Sequence, residues 1–75
     1  MTHLVELLYT LKRKYPDKKF TTNQVSIKVD SIEIMHQGNG IFYAKSLKKG
    51  TKGTFHMETG KAPIIINFVN TYIKP

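Results

Sequence analysis

Apolar residues recur at helical spacing near the start of the chain, and they mark one face of an amphipathic helix. The members of this apolar stripe are Leu4, Leu7, Leu8, Leu11 and Tyr15. The basic triplet Lys12-Arg13-Lys14 falls in the last turn, where positive charge complements the helix dipole. Pro16 then ends the helical pattern. The spacing predicts a helix over residues 2–15, with the triplet as a complement to its C-terminal end rather than a binding site.

The next segment carries signals of both strand and helix. Val25, Ile27 and Val29 alternate with polar residues as in a strand, and the alternation resumes after a one-residue shift. Two helix start signals compete with it, each a capping box flanked by a hydrophobic staple. Their N-cap and N3 residues are Thr21 with Gln24, and Asp30 with Glu33. These signals predict short helices over 22–29 and 31–37, while the β-branched content keeps a strand interpretation of residues 24–37 open.

The sequence Gly38-Asn39-Gly40 interrupts the chain. Asn-Gly is typical of a hairpin turn, but a helix C-cap followed by a new N-cap at Asn39 is equally compatible. Ile41, Ala44 and Leu47 recur every three residues on one face, which favours a helix over 41–49 closed by Gly50.

Beyond residue 50 the pattern changes to short β-prone runs. Thr51-Lys52-Gly53 has loop composition, and residues 54–58 and 63–69 are rich in strand-forming side chains. Between these two runs, residues 59–62 form a compact turn that contains Lys61. We therefore predict a hairpin over about 54–69 with a basic tip.

The charge of the chain points to a polyanionic partner. The 75 residues include 12 Lys and Arg against 5 Asp and Glu, a formal net charge of +7. Six basic and four acidic residues in 1–38 give +2, whereas six basic and one acidic in 39–75 give +5. Eleven of the twelve cations are Lys, which suits contact with phosphates. This excess favours DNA, RNA or an anionic membrane surface as the partner.

Length and composition bound the class of protein further. A chain of 75 residues forms one domain, 1–75, and the absence of Cys excludes disulfides and thiolate metal sites. Its longest aliphatic run, residues 64–66, is far too short to span a bilayer. In a signal peptide the basic residues precede the apolar stretch, whereas here the basic triplet follows it. We expect a cytoplasmic protein, or a nuclear one in a eukaryote.

Two segments carry a resemblance to a known superfamily. The opening of a second helix is similar to the segment Phe20-Thr21-Thr22-Asn23-Gln24-Val25. A recognition helix that runs into a wing resembles the segment Ala44-Lys45-Ser46-Leu47-Lys48-Lys49-Gly50. Together they resemble the winged helix-turn-helix superfamily. That resemblance implies a small α+β fold of three to four helices followed by a C-terminal β-hairpin wing, and a transcriptional regulator that binds duplex DNA.

The resemblance also implies a binding site. Asn39 would cap the recognition helix near a phosphate, Tyr43 and Ser46 would face the groove, and the lysines would contact phosphates or guanine acceptors. These lysines are Lys45, Lys48 and Lys49 on the helix, Lys52 in the loop and Lys61 at the wing tip. Each lysine alone is better explained as a solvated surface charge, so the cluster is stronger evidence than any member.

The sequence contains few candidates for catalytic or metal-ligating residues. His3, His36 and His56 are scattered without ligand spacing, and no nucleotide-binding or nucleophile motif is present. We therefore expect no metal, no cofactor and no enzymatic activity. Two alternatives to the DNA-binding regulator stay open. The first is an α+β domain whose sheet begins near Gln24 and turns at 38–40, and whose basic face binds RNA or a ribonucleoprotein. The second is a protein-interaction module or an inhibitor of a larger complex. Small size without a covalent staple favours a homodimer or a larger protein partner in every case.

Overall fold

A computed structural model describes residues 2–47 and 55–73, and these residues form an α+β fold around one antiparallel sheet. Its elements are α1 (Thr2–Lys14), β1 (Phe20–Thr22), β2 (Ser26–Val29), β3 (Ile32–Gly38), β4 (Ile41–Ser46), β5 (Met57–Gly60) and α2 (Ala62–Tyr72). The five strands neighbour one another in chain order, so the sheet is a meander.

Both helices pack on the same face of the sheet. Residues that are directly paired across strands share a face, and Ile27, Ile34 and Ala44 form such a row in which every side chain is buried. Each helix adds three buried side chains at helical spacing to this core. They are Leu4, Leu7 and Leu11 from α1, and Ile65, Phe68 and Val69 from α2. We call the uncovered side of the sheet the open face; it carries the residues that alternate with the core positions.

The predicted N-terminal helix is confirmed. It spans Thr2–Lys14, one residue shorter than expected, and ends before Pro16. Its apolar stripe lies against β2 and β3, with Tyr15 partly buried beside it. No helix in the described part of the chain is long and apolar enough to cross a bilayer.

The two short helices predicted over 22–29 and 31–37 are wrong, because these residues form strands β2 and β3. The Asn23 side-chain oxygen accepts hydrogen bonds from the N–H groups of Val25 and Ser26, at 2.9 and 3.0 Å. A helix N-cap makes the same kind of bond, but here the bonds close a turn between β1 and β2, and the predicted N-cap Thr21 lies in β1 opposite Lys28. Glu33 is likewise no cap: it lies opposite Lys28 in the sheet.

The helix predicted over 41–49 is also wrong. Residues 41–46 form β4, in which Phe42, Ala44 and Ser46 are buried with a period of two. Asn39 and Gly40 have positive φ values of 54° and 76°, which a two-residue type I′ hairpin requires, so the Asn-Gly pair connects β3 to β4. Gly50, the predicted helix end, lies outside the described residues, as does the predicted loop 51–53.

The C-terminal wing hairpin predicted over 54–69 is wrong, because its first strand pairs with β4 and its second strand is a helix. Met57–Gly60 is strand β5, but Ala62–Tyr72 is a helix that packs on β4 and β5. Pro63 stands in its first turn, where a missing N–H costs nothing. Gly60 allows a close approach of strand and helix, since a Cβ placed there would lie 3.0 Å from the Cβ of Ile64. With two helices flanking a five-stranded sheet, the fold is not a winged helix-turn-helix, and that resemblance is overturned.

Candidate nucleic-acid interface

One end of the molecule collects the segments that carry most of the positive charge. Phe20 pairs with Val29, and Ile32 pairs with Ser46, so the start of β1, the β2–β3 turn and the end of β4 lie together. The last turn of α1 reaches the same end, because only residues 15–19 separate it from β1. We call this end the basic pole. Seven of the eight basic residues within 2–47 and 55–73 lie at or next to it: Lys12, Arg13, Lys14, Lys18, Lys19, Lys28 and Lys45.

The opposite end of the molecule is nearly free of cations in the part that the structure describes. It contains the start of α1, the β3–β4 turn and the junction between β5 and α2. The His3 ring lies 5.2 Å from the His36 ring there, and the His36 Nε2 accepts a hydrogen bond of 3.2 Å from the Gly40 N–H. Lys61, which immediately precedes α2, is the eighth basic residue and stands at this end.

Acidic side chains at the basic pole neutralise part of its charge. Lys18 Nζ lies 3.0 Å from Asp30 Oδ2, and Lys28 Nζ lies 3.7 Å from Glu33 Oε2. Lys12, Arg13, Lys14 and Lys19 are exposed and form no ion pair with the described residues, which leaves a group of cations available to a partner.

Apolar and aromatic side chains on the open face adjoin this group. Lys45 Nζ lies 5.8 Å from the centroid of the Phe55 ring, a cation–π contact, and the Tyr43 hydroxyl donates a hydrogen bond of 2.7 Å to Met57 Sδ. Phe55 is 41% exposed and Met57 is 59% exposed. The open face therefore offers rings and a thioether beside the cations of the basic pole.

Of the site residues predicted from the sequence, the structure brings Tyr43 and Lys45 together on the open face of β4. Ser46 lies on the opposite face, only 3% exposed, and its N–H donates to the carbonyl of His56. Asn39 and Lys61 stand at the far end of the molecule. Ser46, Asn39 and Lys61 therefore lie apart from Tyr43 and Lys45.

Three further predicted lysines lie outside the described residues: Lys48, Lys49 and Lys52. They belong to the connection between β4 and β5. Leu47, before this connection, lies at the basic pole because its N–H donates to the carbonyl of Ser31 in the β2–β3 turn. Phe55, after it, lies there because its ring contacts Lys45.

Sequence reasoning missed several residues of this surface. The basic triplet at the end of α1 was assigned to the helix dipole alone, and Lys28, Phe55 and Met57 were not singled out for binding. One signal was available: extending the period-two alternation of residues 25–34 through β4 places Lys28, Tyr43 and Lys45 on one face of a sheet.

Tyr15 ties the two helices together beneath the basic pole. Its hydroxyl donates a hydrogen bond of 2.8 Å to Asn70 Oδ1 in α2. Partial burial raises the pKa of the Tyr15 phenol above its ordinary value of 10.0, because the charged phenolate would lose hydration. Tyr15 is therefore a neutral hydrogen-bond donor near pH 7 and fixes the position of the basic segment that surrounds it.

Within residues 2–47 and 55–73, no three His, Asp or Glu side chains come close enough together to hold a metal ion. The basic pole and the adjoining open face therefore combine exposed cations with aromatic side chains. Comparisons with protein families, with curated proteins and with solved structures found no similar protein.

Proposed function

We propose that the protein binds single-stranded nucleic acid at the basic pole and the adjoining part of the open face. The observation that carries this proposal is the placement of seven of the eight described basic residues at one end of the fold. A sugar-phosphate backbone is the polyanion that such a cluster of lysines attracts, through counterion release and direct contact.

The exposed rings beside the cations support single strands as the ligand. Unpaired bases stack on aromatic side chains, whereas a duplex keeps the faces of its bases covered. Phe55, with Lys45 above its ring, is placed for such stacking, and Tyr43 lies two positions from Lys45 on the same face of β4. RNA and DNA strands share this phosphate and base chemistry, so the binding experiment distinguishes them.

This proposal replaces the expectation of a duplex-reading regulator. That function depended on a recognition helix over about 40–49 and a wing over about 54–69, and neither element is present. The alternative of an α+β domain with a basic face for RNA shares the helix-plus-meander class and the turn at 38–40 with the structure, but the sheet begins at Phe20 instead of near Gln24, and a second helix follows it. The interaction-module hypothesis remains a prediction that the same experiment addresses.

The test is fluorescence anisotropy with labelled single-stranded RNA, single-stranded DNA and a duplex of equal length, over a series of salt concentrations. Lys19→Gln and Lys45→Gln each remove one cation at the basic pole. Lys61→Gln removes the same charge from the opposite end and is the matched control. We expect each pole variant to reduce the slope of log K against log salt by about 0.7, the value for one phosphate contact on a single strand. We expect the control to leave the slope unchanged.

Phe55→Ala examines the stacking step separately. Losing one stacked base costs about 1–3 kcal/mol, so we expect single-strand affinity to fall by about 5- to 150-fold while the salt slope is kept. Equal effects of Lys45→Gln and Lys61→Gln, tighter binding of the duplex, or no binding of any nucleic acid at low salt would contradict the proposal.

A further inference from the structure

The β3–β4 turn contains two neighbouring residues that can react with each other. Asn39 is followed by Gly40, and no other Asn of the chain has Gly after it. A backbone amide nitrogen can attack the side-chain carbonyl carbon of the Asn that precedes it, and Gly offers no side chain to hinder that approach. Asn39 is exposed, and a Cβ placed at Gly38 would meet nothing within 4 Å, so solvent and open space surround the turn.

His36 holds the nitrogen that would make this attack. The Gly40 N–H donates a hydrogen bond of 3.2 Å to His36 Nε2. The His36 ring lies between two others, with its centroid 5.1 Å from that of Phe42 and 5.2 Å from that of His3. His3 also lies against the turn, since its Nδ1 would be 3.6 Å from a Cβ placed at Gly40. Side chains from α1, β3 and β4 therefore fix the orientation of the Gly40 amide.

The orientation that His36 holds keeps the reacting atoms apart. With φ of 54° at Asn39 and 76° at Gly40, the turn is of type I′, in which ψ of the first residue is about +30°. At this ψ the Gly40 nitrogen lies roughly anti to the Asn39 Cβ, so it points away from the side-chain carbonyl carbon. Attack requires rotation about ψ of Asn39, and that rotation turns the Gly40 N–H away from His36. Breaking this hydrogen bond is therefore part of the barrier to the reaction.

We propose that Asn39 is a site of self-modification by deamidation and that His36 sets its rate. The Gly40 nitrogen forms a bond to Asn39 Cγ, and the bond from Cγ to the side-chain nitrogen breaks. That nitrogen leaves as ammonia with the proton of the Gly40 amide. Water then opens the resulting succinimide at either of its two carbonyl groups, which gives Asp or isoAsp at position 39. The solvent supplies the water, and the reaction needs no oxidant or reductant.

The modified chain differs from the original in its charge and, as isoAsp, in its backbone. Either product has one additional carboxylate, which lowers the formal net charge of +7 by one unit. The isoAsp product also adds one methylene to the main chain within a two-residue turn, and the length of that turn fixes the register of β3 against β4. The modification therefore acts on the hairpin at the end opposite the basic pole, and this inference is independent of the proposed ligand.

The test is peptide mass mapping of the folded protein during incubation in mildly alkaline buffer, where imidazoles are neutral. His36→Phe keeps a ring between His3 and Phe42 but removes the acceptor of the hydrogen bond. His56→Phe makes the same change beside Tyr72, far from the turn, and is the matched control. We expect conversion at position 39 to be about fivefold faster in His36→Phe, the factor for one hydrogen bond of about 1 kcal/mol, and unchanged in His56→Phe.

Amide hydrogen exchange supplies a readout that is specific to the turn. The Gly40 amide should exchange faster in His36→Phe than in the natural chain, with unchanged circular dichroism. The natural chain unfolded in urea should convert faster than the same chain folded, because nothing then holds the Gly40 amide.

Three outcomes would overturn the inference. Equal rates of conversion in the natural chain and in His36→Phe, or in the folded and the unfolded natural chain, would show that His36 does not set the rate. An intact Asn39 in folded His36→Phe would remove the site. Earlier conversion in the folded protein at one of the other three Asn residues would place the modification elsewhere; these residues are Asn23, Asn67 and Asn70.

Discussion

At the scale of single residues, Asn39 separates two interpretations that the sequence left open. A helix N-cap has extended backbone angles, whereas Asn39 has φ of 54° and is followed by Gly40 with φ of 76°. Left-handed values at both positions are what a type I′ turn needs, and Asn-Gly is the pair that adopts them at least cost. Asn39 therefore shapes a turn, and it lies at the end of the molecule remote from the basic pole.

We expect Asn39→Gly to leave both stability and nucleic-acid affinity nearly unchanged. Asn39→Val should lower the free energy of unfolding by about 1–2 kcal/mol, because a β-branched side chain is strained in the left-handed region. Urea denaturation of the two variants measures this difference. A Val variant as stable as the natural chain would show that the turn does not adopt positive φ, and a loss of affinity in the stable Gly variant would place Asn39 in the binding site.

Ser46 lies on a different face of its element from the one that the sequence predicts. On the predicted helix it shared a face with Tyr43, but in a strand these two residues are three positions apart and lie on opposite faces. The periodicity assigned to this segment, helical or extended, therefore determines which residues share a face with Tyr43. Lys45, two positions away, joins it on the open face, and Ser46 joins Phe42 and Ala44 in the core.

At the scale of elements, one helix was predictable and the other was not. The stripe of α1 consists mainly of Leu, a strong helix former, so spacing and propensity agree. In α2, Ile65, Phe68 and Val69 have the same helical spacing, but β-branched Ile64–Ile66 and Val69 resemble a buried strand. Packing against β4 and β5 overrides that local preference, and packing partners are not visible in a short stretch of sequence.

The helix predictions over the residues of β2 and β3 are wrong for a different reason. Val25, Ile27 and Val29 alternate as in a strand, but the two capping boxes in the same segment favour helices over 22–29 and 31–37. The predicted N-cap Thr21 lies in β1, and Asn23 instead accepts N–H bonds from the second and third residues after it, as a helix N-cap does, within a turn between two strands.

Asn23→Ala tests the role of this turn. Losing both side-chain hydrogen bonds should reduce the free energy of unfolding by about 1 kcal/mol and increase hydrogen exchange at the Ser26 amide. Gln24→Ala, an exposed neighbour in the same turn, serves as the control and should change neither quantity appreciably. If the two variants behave alike in denaturation and exchange, the Asn23 bonds do not hold β1 against β2.

At the scale of the whole molecule, the charge distribution along the chain differs from that in space. The count by halves gave +2 and +5 and placed the binding surface in the second half. Strand order instead brings residues 12–19 to the same end as Lys28 and Lys45, although these segments are far apart in sequence. Net charge and the preference for a polyanion were accessible from composition, but the basic pole required the order and direction of the strands.

The most direct test of the basic pole is an amide chemical-shift map of labelled protein titrated with a single-stranded oligonucleotide. We expect the largest changes at Lys14, Lys19, Lys28, Lys45 and Phe55. Amides of Asn39 and Lys61, at the opposite end, should move little. Changes centred on the β3–β4 turn and Lys61, with the basic pole unperturbed, would contradict the proposed binding surface.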